Sequence, residues 1–411
     1  MARKRTTIIK ANVLFDGEKL HENKFITLYG NEIQSIDDSA PKHHVEGWVT
    51  PAFIDAHSHI GMDRDGEPFQ EAEVNDYIDQ ITPLLNPIDS IYWDDRAFHD
   101  AVDFGVLYSC VIPGSGNLLG GKAMIIRNFA ANRDEALVEH YGYKMALGYN
   151  PRSTTDWKGK RCNTRMGVYA QLEAKFDEAL QKKAKADLKH EKAMYELERK
   201  LKKPKKVTRK EFAQEKAMLE REYELGFTPE ERALLELLSG EKTAKVHVHK
   251  DDDVLYLIHL CKKYGLKVTA EHTCDVFHTK TFNALAKAGI PVVYGPLGTV
   301  GYKVELKHML YTNAKLLMDS NADYGLMTDH SVIHTISLRE SLKFFLIQGM
   351  SEAEALSIIT KKNARILGID DRLGSIEPGK LASVVVWDRN PLHLAAFPKM
   401  VIGEGAILRQ K

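Results

Sequence analysis

Histidine and aspartate recur in this chain at places where apolar, strand-like runs end, and that placement suits a metal ion. The first is VTPAFIDAHSHIGM, residues 49–62, where an apolar run leads into Asp55 and then into His57 and His59. Side chains two apart on a β-strand share a face, so both imidazoles reach one point in space. Imidazole is a common ligand for zinc and other divalent metals. A bare His-x-His is as often a pair of loop histidines. Three further His/Asp runs shift the balance against that reading here, His247 and His249 in KVHVHKDDD, His272 in AEHTCD, and Asp329 in GLMTDHS, and Lys144 ends another run in KMALG. Together they form a nitrogen-rich set with one carboxylate, and the set is far more specific than any member.

Each member has a plainer role open to it. Of His247 and His249 at most one is expected to bind metal. His247 is favoured because it lies nearer the strand proper, which leaves His249 to contact substrate. His272 alone would read as a core histidine, and Asp329 as a helix cap, as would Ser331. His330 and His334 lie past the strand end and are assigned to a loop. An ammonium at Lys144 is repelled by a dication, so Lys144 fits a metal site only as an anionic carbamate, or else points elsewhere. Tyr302 and Lys303, with Glu305 in GTVGYKVELKHM, are candidates for a substrate loop.

These residues need a scaffold that gathers strand ends. Strand-like runs at 50–56, 106–112, 123–127, 143–147, 244–249, 267–271, 291–295 and 324–328 alternate with helical patterns such as DVLYLIHLCKKYG. That alternation predicts the α/β class and a (β/α)8 barrel, whose active sites lie at the C-terminal ends of the strands. About 240 residues remain once the terminal pieces and one insertion are set aside, close to the roughly 250 typical of such barrels. No glycine-rich phosphate loop follows the first strand, which disfavours an open doubly wound sheet. Residues 1–50 and 365–411 read as short alternating strands, too few at either end to bury a core, and are expected to pair into one small β-domain. The barrel then spans 51–364. An insertion at 166–240, between strands four and five, is a strong helix former rich in Glu/Lys pairs. Its KKPKK run predicts a break into an antiparallel helical pair, and TPEERALLELLSG predicts a Thr-capped third helix. A lid or a subunit contact is the expected role. Its basic cluster is interleaved with acidic residues, as on a solvated face.

Composition narrows the partners. In this 411-residue chain hydrophobic residues make up 44% and charged residues 28%, which are ordinary globular values. A formal net charge of +0 gives no electrostatic reason to expect nucleic acid. No apolar stretch reaches the roughly 18 residues of a membrane span, and the N-terminus reads as a strand rather than a signal peptide. Cys110, Cys162, Cys261 and Cys274 show no CxxC spacing, so neither a disulfide framework nor a thiolate zinc site is expected. A cytoplasmic protein with a small-molecule substrate follows; a homo-oligomer is left open.

In this order, the residues resemble the amidohydrolase superfamily of metal-dependent hydrolases, and within it the imidazolonepropionase-like enzymes and related metal-dependent dipeptidases. The likeness runs through VTPAFIDAHSH, VIPGSGNLLGGKAMIIR, KMALGYNPR, VHVHKDDDV, EHT, TDH and LGSIEPGKLASVVVWD. It implies the same barrel with a composite β-sandwich. His57, His59, the fifth-strand histidine and Asp329 match the ligand pattern of one-metal members. Lys144, as a bridging carbamate, and His272 match the additional ligands of two-metal members. Zinc is the first choice of metal, with iron or manganese open, as one or two ions. Two departures stand out: relatives carry Glu at the position of Tyr149, and GKDAD where this chain has GKLAS. Tyr149 lies at the barrel mouth and joins Tyr302 and Lys303 as a candidate substrate contact. The implied reaction is hydrolysis of a carbon–nitrogen bond in an amide, cyclic amide or peptide-like molecule by a metal-activated water. Asp329 would be the proton carrier, and His272 or His249 the stabiliser of the oxyanion. The alternative is a non-catalytic protein on this scaffold that uses its helical insertion for assembly or partner binding.

Overall fold

Alternation dominates the chain's beginning. In the computed structural model, which describes residues 6–153, 161–202, 208–301 and 303–411, the first four strands are β1 (Thr6–Phe15), β2 (Leu20–Tyr29), β3 (Glu32–Asp37) and β4 (Val45–Pro51). Eight strands follow: β5 (Phe53–Ser58), β6 (Val106–Val111), β7 (Leu119–Arg127), β8 (Leu137–Ala146), β9 (Thr243–Val248), β10 (Val268–His272), β11 (Val292–Tyr294) and β12 (Tyr324–Leu326). The C-terminal strands are β13 (Val384–Trp387), β14 (Pro398–Gly403) and β15 (Ala406–Gln410).

Both termini contribute to one sheet of order β15-β14-β13-β4-β1-β2-β3. Its inward residues, Ile9, Ala11 and Leu14 of β1 with Ile26, Ile33, Val384 and Ile402, form a core of their own. The edge strand β3 bonds to the segment leading into β13, through Ile33 N to Lys380 O (2.8 Å) and Gly379 N to Ile33 O (2.8 Å). The sheet therefore closes back on itself, which leaves few exposed edges.

Strands β5 to β12 form the second sheet in simple sequence order. It is a barrel of the expected (β/α)8 kind with one change: β7 pairs antiparallel with both β6 and β8. The reason is connection length. Parallel neighbours need a crossover of about a dozen residues or more, and only residues 112–118 join β6 to β7. The expected third strand, 123–127, is the second half of that reversed strand.

The barrel's seam is sewn by a side chain. Asn363 Nδ2 donates to Ile54 O (2.6 Å) and Leu326 O (2.9 Å), and its Oδ1 accepts from Leu326 N (3.0 Å). A Cβ at Gly325 would collide with that amide, so glycine is required there. Asp55 adds a second stitch by accepting from Thr328 N (3.1 Å) and Thr328 Oγ1. Each buried polar group left unpaired costs about 1–3 kcal/mol. Replacing Asn363 by Ala is expected to lower the unfolding free energy by about 3 kcal/mol, read by urea titration. A loss under about 1 kcal/mol would show that the seam is held elsewhere.

Helices Arg165–Leu201, Arg209–Leu225 and Pro229–Leu238 lie between β8 and β9, where the insertion is expected. The first two run antiparallel, as the pairs Lys189–Glu222 (2.6 Å) and Lys200–Glu215 (2.9 Å) show. Most of the predicted KKPKK break falls at 203–207, outside the described residues. Thr228 caps the third helix with a reciprocal Glu231 bond. The arm's root packs on helix Asp251–Tyr264: the Tyr169 and Tyr256 rings stack at 3.4 Å, and Glu173 takes Tyr256 Oη (2.6 Å) and Lys263 Nζ (2.7 Å). Among the described residues, no helix is long and apolar enough to cross a membrane.

Candidate active site and metal centre

Parallel strands direct alternate side chains into the barrel. Asp55, His57 and His59 follow that rule from β5, as do Lys245 and His247 from β9. Lys144 of β8 is in register with Lys245, and Glu271 of β10 with His247. Strict alternation would turn His272 away from Glu271. Instead His272 adopts φ +70°, and at the end of the eighth strand Asp329 adopts φ +52°. This left-handed backbone is unusual for residues other than glycine and is concentrated at functional sites. Here it brings the His272 ring to 4.9 Å from that of His57 and 4.3 Å from that of His247.

The hydrogen bonds decide where the lone pairs point. His57 Nδ1 lies 2.8 Å from Glu271 Oε2, His59 Nδ1 2.7 Å from Ile112 O, and His272 Nδ1 3.0 Å from Gly295 O. Each of these partners only accepts, so each Nδ1 carries the proton and each Nε2 keeps its lone pair. The freed Nε2 atoms of His57 and His59 approach Asp329 Oδ1 at 3.3 and 3.1 Å. His272 Nε2, His247 Nδ1 and His249 Nδ1 are buried without a hydrogen-bond partner. At this site two groups have ligand atoms close enough to share an ion, His247, His249 and His272, and His57, His272 and Asp329; a third such group, Asp65, His330 and His334, involves the loop past the eighth strand. Buried nitrogen lone pairs beside an ionised carboxylate are what a borderline-soft divalent cation requires, so the residues present fit such an ion.

Burial keeps these imidazoles neutral. It pushes His247, His249 and His272 well below the ordinary histidine range, and lowers His57 with help from nearby Lys144. Burial alone would raise Asp329, but His272, His57 and His59 hold it well below the usual carboxylate range. Lys144 is fully buried, with Nζ 3.3 Å from His57 Nε2, and burial brings it down to about 8. Lys144 therefore points into the site, not elsewhere. Burial raises Asp55 to about 7.

The expected residues fall into place unevenly. His57, His59, Lys144, His247, His249, His272 and Asp329 converge on one space. His247 and His249 both reach it, their rings 4.8 Å apart. Lys303 sits at the rim, 3.5 Å from Glu305. Tyr149 meets the site through its backbone, donating N–H to Glu305 Oε2 (3.1 Å). Tyr302 lies outside the described residues. His330 lies in the loop past the eighth strand, as expected, but is fully buried there, and its Nδ1 accepts from Thr335 N (3.2 Å). Sequence reasoning missed two functional groups and undervalued a third. Glu271 holds the proton of His57 Nδ1 and pairs with Lys245 Nζ (3.1 Å), and both side chains are wholly buried. A charge inside a strand-like run, as in TAKVHV and VTAEH, was the available signal. Glu305, ranked only as a loop contact, is 2% exposed and lies 3.3 Å from His247 Nε2.

Known amidohydrolases are similar to this chain in sequence and fold. A model of the "Amidohydrolase family" matches residues 240–402. The chain is 26% identical to an amidohydrolase from Thermotoga maritima MSB8 of known structure, covering 98% of this chain and all of that one, with a TM-score of 0.79. It is 24% identical to Amidohydrolase tasK of Hapsidospora irregularis over 95% of this chain, but spans only 39% of that relative's length. A prolidase solved with N-methylphosphonate-L-proline shares the fold at 14% identity and a TM-score of 0.58, covering 99% of this chain and all of that one.

Proposed function

Because this chain belongs to the amidohydrolase superfamily, we propose that it is a metal-dependent hydrolase cleaving a carbon–nitrogen bond in a small amide, cyclic amide or peptide-like molecule. One observation carries the reading. His57, His59 and His272 each commit Nδ1–H to an oxygen, which leaves Nε2 unprotonated; those of His57 and His59 lie 3.3 and 3.1 Å from ionised Asp329, and that of His272 is buried without a hydrogen-bond partner. His57, His59, His247, His272 and Asp329 would hold the ion, zinc by preference on this donor set.

Held by these residues, a divalent ion would supply Lewis acidity, making water a nucleophile near neutral pH and polarising the scissile carbonyl. The chain supplies the proton traffic. Asp329 is ionised and within 3.3 Å of two imidazoles, so its carboxylate takes the proton of the attacking water and passes it to the leaving nitrogen. His272 cannot also serve as the oxyanion donor, because its one N–H is bound to Gly295 O. That task falls to His249, at a worth of about 3 kcal/mol for one well-placed donor. Near pH 8 the Lys144 amine is partly neutral, the form that reacts with carbon dioxide. As a carbamate it would become an anionic ligand and would release the His57 Nε2 lone pair it now engages.

Metal content and turnover test the proposal together. Protein purified without chelator should hold about one or two equivalents of zinc, iron or manganese by elemental mass analysis. Chelation should abolish amine release from a panel of dipeptides, N-acyl amino acids and lactams, and adding metal back should restore it. Two equivalents would favour the Lys144 carbamate. Under about a tenth of an equivalent, with no activation by added metal, would overturn the reading.

A further inference from the structure

The barrel mouth has a second compartment. A cavity of about 160 Å³ is lined by Tyr149, Arg152, Arg165, Lys250, Asp253 and Glu305. Glu305 is the shared wall: the same carboxylate sits 3.3 Å from His247 Nε2. An occupant of this cavity therefore lies one side chain away from the histidine cluster.

The charges of the lining do not cancel. Asp253 is engaged by Arg165 (3.3 Å) and Tyr169 Oη (2.5 Å). Glu305 is engaged by Lys303 (3.5 Å), His247 and the Tyr149 N–H (3.1 Å). Among the described residues, no carboxylate lies within ion-pair distance of Arg152 or Lys250. The Arg152 guanidinium stands 5.1 Å from the Tyr149 ring centre, and its Nε is buried without a hydrogen-bond partner. Two cations thus face a half-enclosed space with no carboxylate paired to them, and a buried donor such as Arg152 Nε is costly unless a ligand completes it.

We propose that this cavity seats a carboxylate of the substrate, so that the bond cleaved belongs to an N-acyl amino acid or a peptide with a free C-terminal carboxylate. The proposal rests on the hydrolase reading above and narrows it. A planar carboxylate matches the fork of Arg152, with Lys250 as the second contact. A dianion such as phosphate fits less well, because Asp253 and Glu305 stand in the same wall.

The test compares N-acetyl-L-amino acids with their carboxamides on the metal-loaded protein. Binding is read by the shift in Tm and turnover by amine release. The acid of a matched pair should bind about tenfold tighter than the amide or more. Arg152→Met should erase that preference, Arg152→Lys should keep part of it, and Lys250→Met should weaken it independently. Equal binding of acids and amides, no binding by either, or a preference that survives both Met variants would overturn the subsite. So would inorganic phosphate competing better than acetate. Amine release judges the hydrolase reading separately: acids that bind selectively but are never cleaved would leave the subsite standing and sink the reaction.

Discussion

Replacing Asp329 by Asn should reduce kcat by about 10³-fold or more while leaving the fold intact. General acid–base catalysis contributes about 10²–10⁴-fold by itself, and this substitution also removes a carboxylate charge that faces His57, His59 and His272 together. Asn is the informative replacement because it keeps the side chain's shape. It also tolerates the left-handed backbone that position 329 requires. Ala would confound chemistry with strain. The variant should keep the urea midpoint and circular dichroism of the parent. Full activity on a substrate that the parent hydrolyses would remove Asp329 from the proton path, and unfolding at low urea would make its role structural.

What could be read in the chain, and what could not, divides along the range of the interactions. His57 and His59 were legible because alternation is a local rule, and Asp329 because it ends a buried run. The barrel followed from the repetition of such runs. The reversal of β7 was not legible: it depends on where the strand begins, and residues 119–122 (LGGK) carry two glycines that hide its start. The roles of Glu271 and Lys245 were hidden for a different reason. Their partners are a contact between neighbouring strands and one across the barrel to residue 57, and no spacing rule joins positions 57 and 271. The inward turn of His272 depends on a backbone angle that sequence patterns do not encode for a non-glycine residue. The second compartment was equally invisible, since its lining comes from the ends of three strands and the root of the arm.

That hidden pair also gives the second large expectation. Glu271 accepts from His57 Nδ1 and faces Lys245 and Thr269 Oγ1 (2.5 Å), all without solvent. Glu271→Gln leaves the Lys245 ammonium buried with no counter-charge, and breaking such pairs costs about 3–5 kcal/mol. Only one oxygen then remains to receive from both Lys245 and His57, so the His57 tautomer is no longer fixed. Groups that orient a metal-binding histidine in this way are worth about 10–100-fold in metal affinity. Stability and affinity can be separated by the double variant Glu271→Gln/Lys245→Met, which removes the stranded charge without restoring the His57 acceptor. Urea titration should show the double variant recovering most of the lost stability, while chelator competition shows metal affinity still reduced. If both quantities recovered, Glu271 would be only a counter-ion; if neither did, packing around residue 271 would dominate. The pH dependence gives a third reading. Lys245 and His57 outweigh burial and hold Glu271 below the ordinary glutamate range. Its stabilisation is therefore complete above that range and is lost as the pH falls through the depressed native value. The Gln variant should lack that acid limb, because residue 271 then has no proton to gain.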